Sequence, residues 1–380
     1  MRNTCIVCGA PLRSAPLMIC ENMPAAAQHL PAYDGLDQDQ TLELRLCQCS
    51  GCGLVQLDCD PVEYYRDVIR SGGYSTTMHE LRHEQYDRFM NTCPIKGKRV
   101  LEVGCGQGEF LRVWREDGFD AVPFGIEHDK ALVEKAVLDK LNVVEGFAEN
   151  EDRVLPGAPY DAFCSFNFLE HQPNPNGMLR CIYNNLNEEA YGLITVPSWE
   201  YILEKESYYE LIRDHLAYYS QDAFRFALEK NGFRVLSMRV VNRDTWEAIV
   251  EKKKRIDTAA LIANQNRLRR EIYDVIDALE QRGGRMAIWG ASHQGLTILS
   301  SLGLEEKVPY VIDSAPFKQG MYTTGSHIPI VAPVYFHENP VQAILIIAPG
   351  YTDEIARIIR EQLNESVQIY SLRGNTLEKN

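Results

Sequence analysis

Short apolar runs alternate with amphipathic segments from Lys98 onward, and this alternation constrains the fold more than any other feature of the chain. The pattern is typical of a parallel sheet that is covered by helices on both faces. Only the polar turn Asn242-Arg243-Asp244 separates the last two apolar runs, so these two should form an antiparallel hairpin at the sheet edge. We therefore predict an α/β fold with seven strands, at residues 99–103, 122–127, 142–145, 162–167, 192–196, 234–241 and 246–251.

The chain divides into three regions of different composition. Residues from Met1 to about Asp60 are irregular and rich in Pro and Cys. Residues 62–93 should be helical, with an interruption at the turn-like segment 71–73. A charged helix at 251–282 leads to a second βα series, with strands at 286–289, 310–312, 343–347 and 368–371. Because 380 residues exceed one ordinary core, we predict three domains, at 1–75, 76–252 and 253–380.

The charge balance argues against two classes of partner. The formal net charge is -14 and the pI is near 5.2, whereas nucleic acid or anionic lipid would call for clustered Lys and Arg. No apolar run approaches the roughly 20 residues that span a bilayer, and Met1 to Ala10 lacks the apolar core of a signal peptide. We therefore expect a cytoplasmic protein that acts on a small-molecule substrate, with neither nucleic acid nor membrane as a partner.

Two CxxC pairs, Cys5 with Cys8 and Cys49 with Cys52, indicate a metal site. Each pair can form a tight knuckle that directs two thiolates at one ion, and tetrahedral Zn²⁺ with Zn–S bonds of about 2.3 Å satisfies both. Cys47 is an alternative to Cys49 as the fourth ligand. Buried cysteines without metal and a redox pair are the other interpretations. With four thiolates the site would be closed, so its role should be structural.

A glycine-rich loop, within the segment Leu101 to Gly108, joins the first predicted strand to its helix. Its glycines permit close backbone approach to a ligand, and the following helix offers unpaired N–H groups. Such a loop suits a dinucleotide or S-adenosylmethionine, and Glu127 after the next strand could accept the ribose hydroxyls of either. Glu102 favours cationic S-adenosylmethionine, because a carboxylate there would repel a pyrophosphate. The predicted cofactor residues are Glu102, Gly104, Cys105, Gly106, Gln107, Gly108, Glu127 and His128.

Further motifs follow the third and fourth strands. Phe147 and Ala148 come after the third, and Asn167 and Phe168 come after the fourth. In order and spacing, these motifs resemble the class I S-adenosylmethionine-dependent methyltransferases, which have a Rossmann-like seven-stranded sheet. The resemblance implies that Phe147 and Ala148 pack near adenine and that Asn167 and Phe168 lie beside the sulfonium. His171 is either a catalytic group or a histidine that caps a turn or fills the core.

The third region contains a second strand-to-helix turn after residue 289 and a segment with the sequence Lys-Gln-Gly at 318–320. With these motifs, residues 5–375 resemble the sugar C-methyltransferases that act on nucleotide-linked deoxysugars. The resemblance implies an N-terminal zinc domain, a central methyltransferase domain and a C-terminal Rossmann-like domain that helps to hold the nucleotide sugar. It implies substrate-binding roles for Gly290, Ser292, His293, Gln294, Asp313 and Lys318. Gln294 and Met321 replace a lysine and an arginine of that family.

His215, preceded by Asp214, is the predicted general base, because an imidazole with a pKa near 6.5 can accept a proton at neutral pH. The alternative is a histidine that only bonds the backbone before a helix. Tyr74 is a further catalytic candidate, close to Arg70, which occupies the position of a family tyrosine. We expect methyl transfer to a sugar, with carbon favoured over oxygen. The alternatives are O-methylation of another small acceptor and a non-catalytic module that binds zinc and S-adenosylmethionine.

Overall fold

The computed structural model describes residues 2–28, 30–66 and 75–380, so Arg70 and the candidate Tyr74 lie outside the described residues. The chain forms two compact bodies, Met1–Lys254 and Arg255–Asn380. No helix in the described part combines the length and apolar composition needed to cross a membrane.

The N-terminal residues form three antiparallel strands, β1 (Met18–Pro24), β2 (Thr41–Gln48) and β3 (Val55–Leu57). The expectation of an irregular segment is therefore wrong for these residues. Leu42, Leu44 and Leu46 alternate with polar residues along β2, and they pack on a small separate core. A period of two places such residues on one face of a strand, which explains why a sheet forms here.

A central sheet of seven strands forms most of the first body. Its strands are β4 (Lys98–Val103), β5 (Ala121–Glu127), β6 (Val143–Glu145), β7 (Tyr160–Phe166), β8 (Leu186–Pro197), β10 (Phe233–Val241) and β11 (Thr245–Lys252), and the short β9 (Ala217–Tyr218) pairs instead with β3. The order is β10-β11-β8-β7-β4-β5-β6. Strands β4 to β8 are parallel, whereas β11 is antiparallel to both neighbours. The predicted Rossmann-like seven-stranded sheet with its edge hairpin is confirmed.

Six helices accompany these strands: α1 (Thr76–Thr92), α2 (Glu109–Glu116), α3 (Lys130–Leu138), α4 (Pro175–Asn184), α5 (Trp199–Glu204) and α6 (Gln221–Lys230). Side-chain caps mark where α1, α3 and α6 begin. Ser75, Asp129 and Ser220 each accept a hydrogen bond from an amide of the first turn. In the predicted helical stretch 62–93, residues 63–66 form a turn instead, and residues 67–74 lie outside the described residues. α1 begins at Thr76, after the predicted interruption at 71–73, and Ser75 caps this start.

The second body contains the long helix α7 (Ala259–Glu280) and a six-stranded sheet. Its other elements are β12 (Met286–Trp289), α8 (His293–Leu302), β13 (Val311–Ile312), β14 (Ile330–Val331), β15 (Ala343–Ile346), α9 (Thr352–Ile358), β16 (Gln368–Arg373) and β17 (Thr376–Lys379). The order is β14-β13-β12-β15-β16-β17, and all neighbours are parallel except β16 and β17. The predicted second Rossmann-like unit is confirmed, with β14 and β17 as additions.

Candidate active site and metal centre

The glycine loop follows β4 at the carboxyl edge of the central sheet. Gly104 and Gly106 have φ values of 70° and 60°, and Gly108, with φ of 79°, is the N-cap of α2. The amides of Gly104 and Cys105 both donate to the Ile126 carbonyl at 3.1 Å, which ties the loop to β5. A Cβ atom on Gly104 would lie 3.4 Å from the Phe168 ring. The loop therefore needs glycine both for its left-handed backbone and for its contact with the aromatic side chain.

Glu127 ends β5, and its carboxylate organises the glycine loop. Its Oε2 accepts from the Gly106 amide at 2.8 Å, and its Oε1 accepts from the amides of His128 at 2.7 Å and Asp129 at 3.0 Å. An ionised carboxylate has about four acceptor positions. Three are filled here, which leaves one on Oε2. The role of Glu127 at the ribose hydroxyls stays a prediction, and the remaining position on Oε2 is available to such a group.

Phe147 lies between the side chains of the neighbouring loops. Its ring makes edge contacts with His128 and Phe168, at centroid distances of 5.7 and 5.9 Å. The Arg66 guanidinium lies 5.6 Å from the centre of the same ring and forms an ion pair with Glu149. These side chains border a cavity of about 150 Å³, which is lined by Arg66, His128, Glu145, Gly146, Phe147, Glu149 and Arg153.

The other predicted cofactor residues surround this cavity and loop at different depths. Glu102, Cys105 and Ala148 are buried, with Glu102 only 1% exposed on β4. Gln107 is half-buried in the loop, whereas Asn167 is exposed. Asn167 has φ of 45°, and its side-chain oxygen accepts a 2.6 Å hydrogen bond from Thr195. The sheet thus brings the predicted cofactor residues to one edge, where the ends of four parallel strands meet.

His171 and His215 lie together at this carboxyl edge. Their ring centres are 4.7 Å apart and their planes are inclined by 75°. His171 Nδ1 is 2.9 Å from the backbone carbonyl oxygen of Asp214. A carbonyl can only accept, so Nδ1 carries the proton and Nε2 is left with its lone pair.

Glu170 completes a cluster with the two histidines. Its Oε1 is 3.9 Å from His171 Nε2, and one carboxylate oxygen and one nitrogen of each imidazole lie within 4.8 Å of one another. Neither Glu170 oxygen has a hydrogen-bond partner in the described part of the chain. The three groups are close enough to share a proton or to bind one ion.

Burial sets the protonation of this cluster. Desolvation lowers the pKa of His171 to about 4, and it raises the pKa of Glu170 to about 8. The pKa of His215 is also lowered, by desolvation first and by the neighbouring His171 second. Both imidazoles are therefore neutral at pH 7, each with one nitrogen lone pair, and they are weaker bases than a free imidazole. His215 is the half-buried one of the two.

Asp214 does not pair with the His215 ring, in contrast to the expectation from their adjacency. Its Oδ1 accepts from the Tyr64 hydroxyl at 2.9 Å and from the Ala27 amide at 3.2 Å. Residues 213 and 214 form a turn, in which the His215 amide donates to the Ile212 carbonyl at 3.2 Å, and the two neighbouring side chains reach different partners. Asp214 instead serves the site through its backbone carbonyl. Tyr218, on the same loop, is bonded through its hydroxyl to the backbone of Ile212.

The four predicted zinc ligands form a second, separate cluster. The Sγ atoms of Cys5 and Cys52 are 3.6 Å apart, and those of Cys8 and Cys49 are 3.3 Å apart. A tetrahedron with Zn–S bonds of about 2.3 Å has edges of nearly this length. Cys47 is buried on β2 and is not a member of the cluster. The donor set thus fits a structural zinc ion.

Backbone geometry adapts the two cysteine knuckles to a metal. The amides of Val7 and Cys8 donate to Cys5 Sγ at 3.4 Å. Hydrogen bonds, from Cys52 first and from these amides next, lower the pKa of Cys5 to about 5. A Cβ atom on Gly51 would lie 2.8 Å from Ala10 Cβ and 3.3 Å from Cys8 Sγ, so only glycine fits beside the sulfurs.

Two family models match consecutive parts of the chain. Residues 78–238 match a methyltransferase domain, and residues 237–370 match a C-methyltransferase C-terminal domain. Together they show that the chain contains a methyltransferase domain followed by a C-methyltransferase C-terminal domain. Its sheet order and glycine loop agree with this assignment.

The curated relatives match about a third of the chain. Over 145 residues it is 28% identical to the ubiquinone biosynthesis O-methyltransferase of Ralstonia nicotianae, covering 33% of the chain and 59% of that protein. Over 148 residues it is also 28% identical to the protein of the same name from Chromobacterium violaceum, covering 33% of the chain and 61% of that protein. The chain thus spans about three fifths of the length of these relatives.

Solved structures also align with part of the chain. A SAM-dependent methyltransferase from Aquifex aeolicus aligns with a TM-score of 0.38 and 19% identity, over 47% of this chain and 94% of that one. A SAM-dependent methyltransferase from Archaeoglobus fulgidus aligns with a TM-score of 0.37 and 21% identity, over 47% of this chain and 95% of that one.

In the second body, as in the central sheet, a carboxylate accepts a hydrogen bond from the loop after the first strand. Asp313, after β13, accepts from the Ala291 amide at 2.9 Å, as Glu127 accepts from the glycine loop. Lys318 Nζ lies 2.9 Å from Asp313 Oδ2 and also donates to the Ala291 carbonyl at 3.0 Å. The Lys318 ammonium group, which is the cation of the predicted substrate site, is therefore bonded to residues of the same body.

The remaining predicted substrate residues lie around the start of α8. Gly290 has φ of 119°, and a Cβ there would lie 2.6 Å from the Ile347 carbonyl oxygen. Ser292 is the N-cap of α8 and accepts from the Gly295 amide at 3.2 Å. His293 and Gln294 are exposed at the same helix start. The six predicted residues are therefore brought together at the carboxyl edge of the second sheet.

Sequence reasoning missed Glu170 and Tyr64 as residues of the candidate active site. Glu170 is adjacent to His171, and the triplet Leu169-Glu170-His171 after a strand was the available signal. Tyr64 gives no local signal, because its partner Asp214 is 150 residues away in the sequence.

Proposed function

We propose that this protein transfers the methyl group of S-adenosylmethionine to a small-molecule acceptor, and that the acceptor is a nucleotide-linked sugar. One observation supports the transfer most directly. The glycine loop and Glu127 lie at the same carboxyl edge of one sheet as the neutral His171–His215 pair. The proposed cofactor residues and the proposed proton acceptors therefore belong to neighbouring loops, which supports a transfer reaction.

The residues of the loop region fit S-adenosylmethionine in charge and shape. When bound, this cofactor supplies an electrophilic methyl group on a sulfonium centre. Glu127 offers an acceptor position for a ribose hydroxyl, and the ring of Phe147 offers an apolar surface beside the cavity. The buried Glu102 places negative charge on β4 just before the glycines, which suits an ammonium group better than a phosphate.

His215 is proposed as the general base. It is half-buried, so an acceptor can approach it, and its neutral imidazole can take the proton that the acceptor loses as the new bond to methyl forms. In C-methylation the proton leaves a carbon next to a carbonyl group, and in O-methylation it leaves a hydroxyl. His171, with its Nε2 lone pair unprotonated, is the neighbouring acceptor.

The match to a C-methyltransferase C-terminal domain supports carbon as the acceptor atom. The names of the curated relatives favour O-methylation as the second candidate. Incubation with methyl-labelled S-adenosylmethionine and a panel of nucleotide sugars tests the proposal, and NMR of the product locates the methyl group on carbon or on oxygen. Failure to transfer label to any sugar, with confirmed cofactor binding, would contradict the sugar proposal.

We also propose that Cys5, Cys8, Cys49 and Cys52 hold one structural zinc ion. Support comes from the spacing of the four sulfurs and from the amides that bond to them. A closed set of four thiolates leaves no open position for a substrate. Elemental analysis of protein purified without chelator tests this proposal.

A further inference from the structure

The N-terminal strands hold the loop that contains His215. The Leu57 amide donates to the Leu216 carbonyl at 3.0 Å, and Val55 pairs with Tyr218 in the β3–β9 ladder. On its other side, the Leu216 amide donates to the Glu170 carbonyl at 2.8 Å. The loop with His215 is therefore fixed between the N-terminal sheet and the segment that contains Glu170 and His171.

Tyr64 adds a side-chain link to this loop. Its hydroxyl donates to Asp214 Oδ1 at 2.9 Å and accepts from the Ala27 amide at 3.0 Å. Tyr64 is 8% exposed and Asp214 is 2% exposed, so water competes little for this bond. A buried hydrogen bond to an ionised group is among the stronger ones in a protein.

Asp214 connects this side-chain link to His171 through its backbone carbonyl. The backbone carbonyl of Asp214 accepts from His171 Nδ1 at 2.9 Å, and this contact fixes both the ring orientation and the tautomer. The unprotonated Nε2 then lies 3.9 Å from Glu170 Oε1, in a ring whose centre is 4.7 Å from that of His215. If the Asp214 backbone shifts, the imidazole loses the partner that keeps its proton on Nδ1.

We infer that Tyr64 is a positioning residue of the active site, which holds the Asp214 backbone so that His171 presents an unprotonated Nε2 to His215. Tyr64 acts through Asp214 and does not touch the histidine pair. The inference rests on the proposed function, since it assigns Tyr64 a role in methyl transfer. It also assigns the Asp214 carboxylate a structural role, as the acceptor for Tyr64, rather than a catalytic charge.

The first experiment compares Tyr64→Phe with Tyr183→Phe. Each change removes one hydroxyl whose bond is 2.9 Å long, but the Tyr183 bond goes to the Lys253 carbonyl, away from the histidine pair. We expect Tyr64→Phe to lower kcat by about 10- to 100-fold, because small misplacements of reacting groups have effects of this size. The acceptor KM and the S-adenosylmethionine Kd should stay within about twofold, and Tyr183→Phe should keep the kcat of the wild type.

A second variant separates charge from positioning. Asp214→Asn keeps an oxygen for the Tyr64 hydroxyl and the Ala27 amide but removes the negative charge. We expect a kcat within about threefold of the wild type, whereas Asp214→Ala, which removes the acceptor, should resemble Tyr64→Phe. A large loss in Asp214→Asn would overturn the inference, since the charge itself would then be needed.

The tautomer of His171 gives a readout that does not depend on turnover. In protein labelled with ¹⁵N-histidine, with His171→Gln for assignment, the wild type should show a proton on Nδ1 of His171. Tyr64→Phe should show a mixture of tautomers, and Tyr183→Phe should not. If the wild type methylates no acceptor, the proposed function fails while this spectrum still tests the positioning. An unchanged His171 spectrum in a folded Tyr64→Phe protein refutes the inference, and Asp214→Ala provides the same test if Tyr64→Phe does not fold.

Discussion

Replacing Glu127 with glutamine should weaken S-adenosylmethionine binding by about 10- to 150-fold. In the wild type, Oε1 accepts two amides, whereas Oε2 accepts the Gly106 amide and has one acceptor position left. Glutamine keeps one oxygen for His128 and Asp129, but its NH₂ group can accept neither the Gly106 amide nor a ribose hydroxyl. A hydrogen bond to a charged group contributes about 1.5 to 3 kcal/mol, and about 1.4 kcal/mol corresponds to tenfold in Kd.

Isothermal titration calorimetry with S-adenosylmethionine measures this change directly. Glu134→Gln is the matched control, because Glu134 is exposed on α3 and loses the same charge. Thermal unfolding of both variants shows whether the lost Gly106 bond has altered the fold as well. If folded Glu127→Gln bound the cofactor with the affinity of the control, the assignment of this carboxylate to the ribose would be wrong. Glu127→Ala is a less specific test, since it leaves three amides without their acceptor.

Three further predictions concern the loop, the base and the metal. Gly104→Val should abolish cofactor binding in calorimetry, because valine tolerates a φ of 70° poorly and its Cβ would lie 3.4 Å from Phe168. An affinity like that of the wild type would contradict a close approach of the loop backbone to the cofactor. His215→Asn should keep cofactor affinity but lower turnover by about 10²- to 10⁴-fold, the usual contribution of a general base; near-normal turnover would move the role to His171. Cys49→Ser should reduce the zinc content in elemental analysis and loosen the N-terminal sheet, whereas Cys47→Ser should keep one zinc per chain, and equal zinc loss in both would reject the ligand assignment.

The central sheet could be predicted because its strands are buried on both faces. Residues 162–167 form an apolar run that matches β7, and residues 99–103 form the run that matches β4. Such strands contain too few polar residues to belong anywhere but the core. The hairpin of β10 and β11 was equally visible, since a turn of three polar residues leaves no room for a crossover.

The N-terminal sheet escaped prediction because β1 has no fully buried residue and β2 alternates leucines with polar residues. In β2, Glu43 and Arg45 alternate with leucines, a period that is clear only when it is sought among Pro and Cys residues. β9 has two residues and owes its strand geometry to pairing with β3. No local propensity predicts a strand whose existence depends on a partner more than 150 positions away in the sequence.

The candidate site also has parts that could be predicted from the sequence and parts that could not. The residue types of the glycine loop, Glu127 and the four cysteines each require a particular chemistry, so their clusters could be inferred from order and spacing. The partner of the Asp214 carboxylate could not be inferred in this way. Its adjacency to His215 suggested a carboxylate–imidazole pair, whereas the carboxylate accepts a hydrogen bond from Tyr64. The burial of Glu170, which raises its pKa to about 8, also depends on the assembled fold. Whether the sequence-based catalytic and substrate roles hold stays a prediction for the experiments above.

The pairing of β3 with β9 limits how this protein can be dissected or recombined. A fragment that began at α1 would retain the whole central sheet, yet it would leave β9 as an unpaired edge and expose apolar residues that now pack against Cys5, Val7 and Leu54. Open edges beside apolar surface favour association between chains. Exchange of N-terminal segments between homologues would therefore have to transfer the β9 loop as well, so the two regions should be inherited and engineered as one unit.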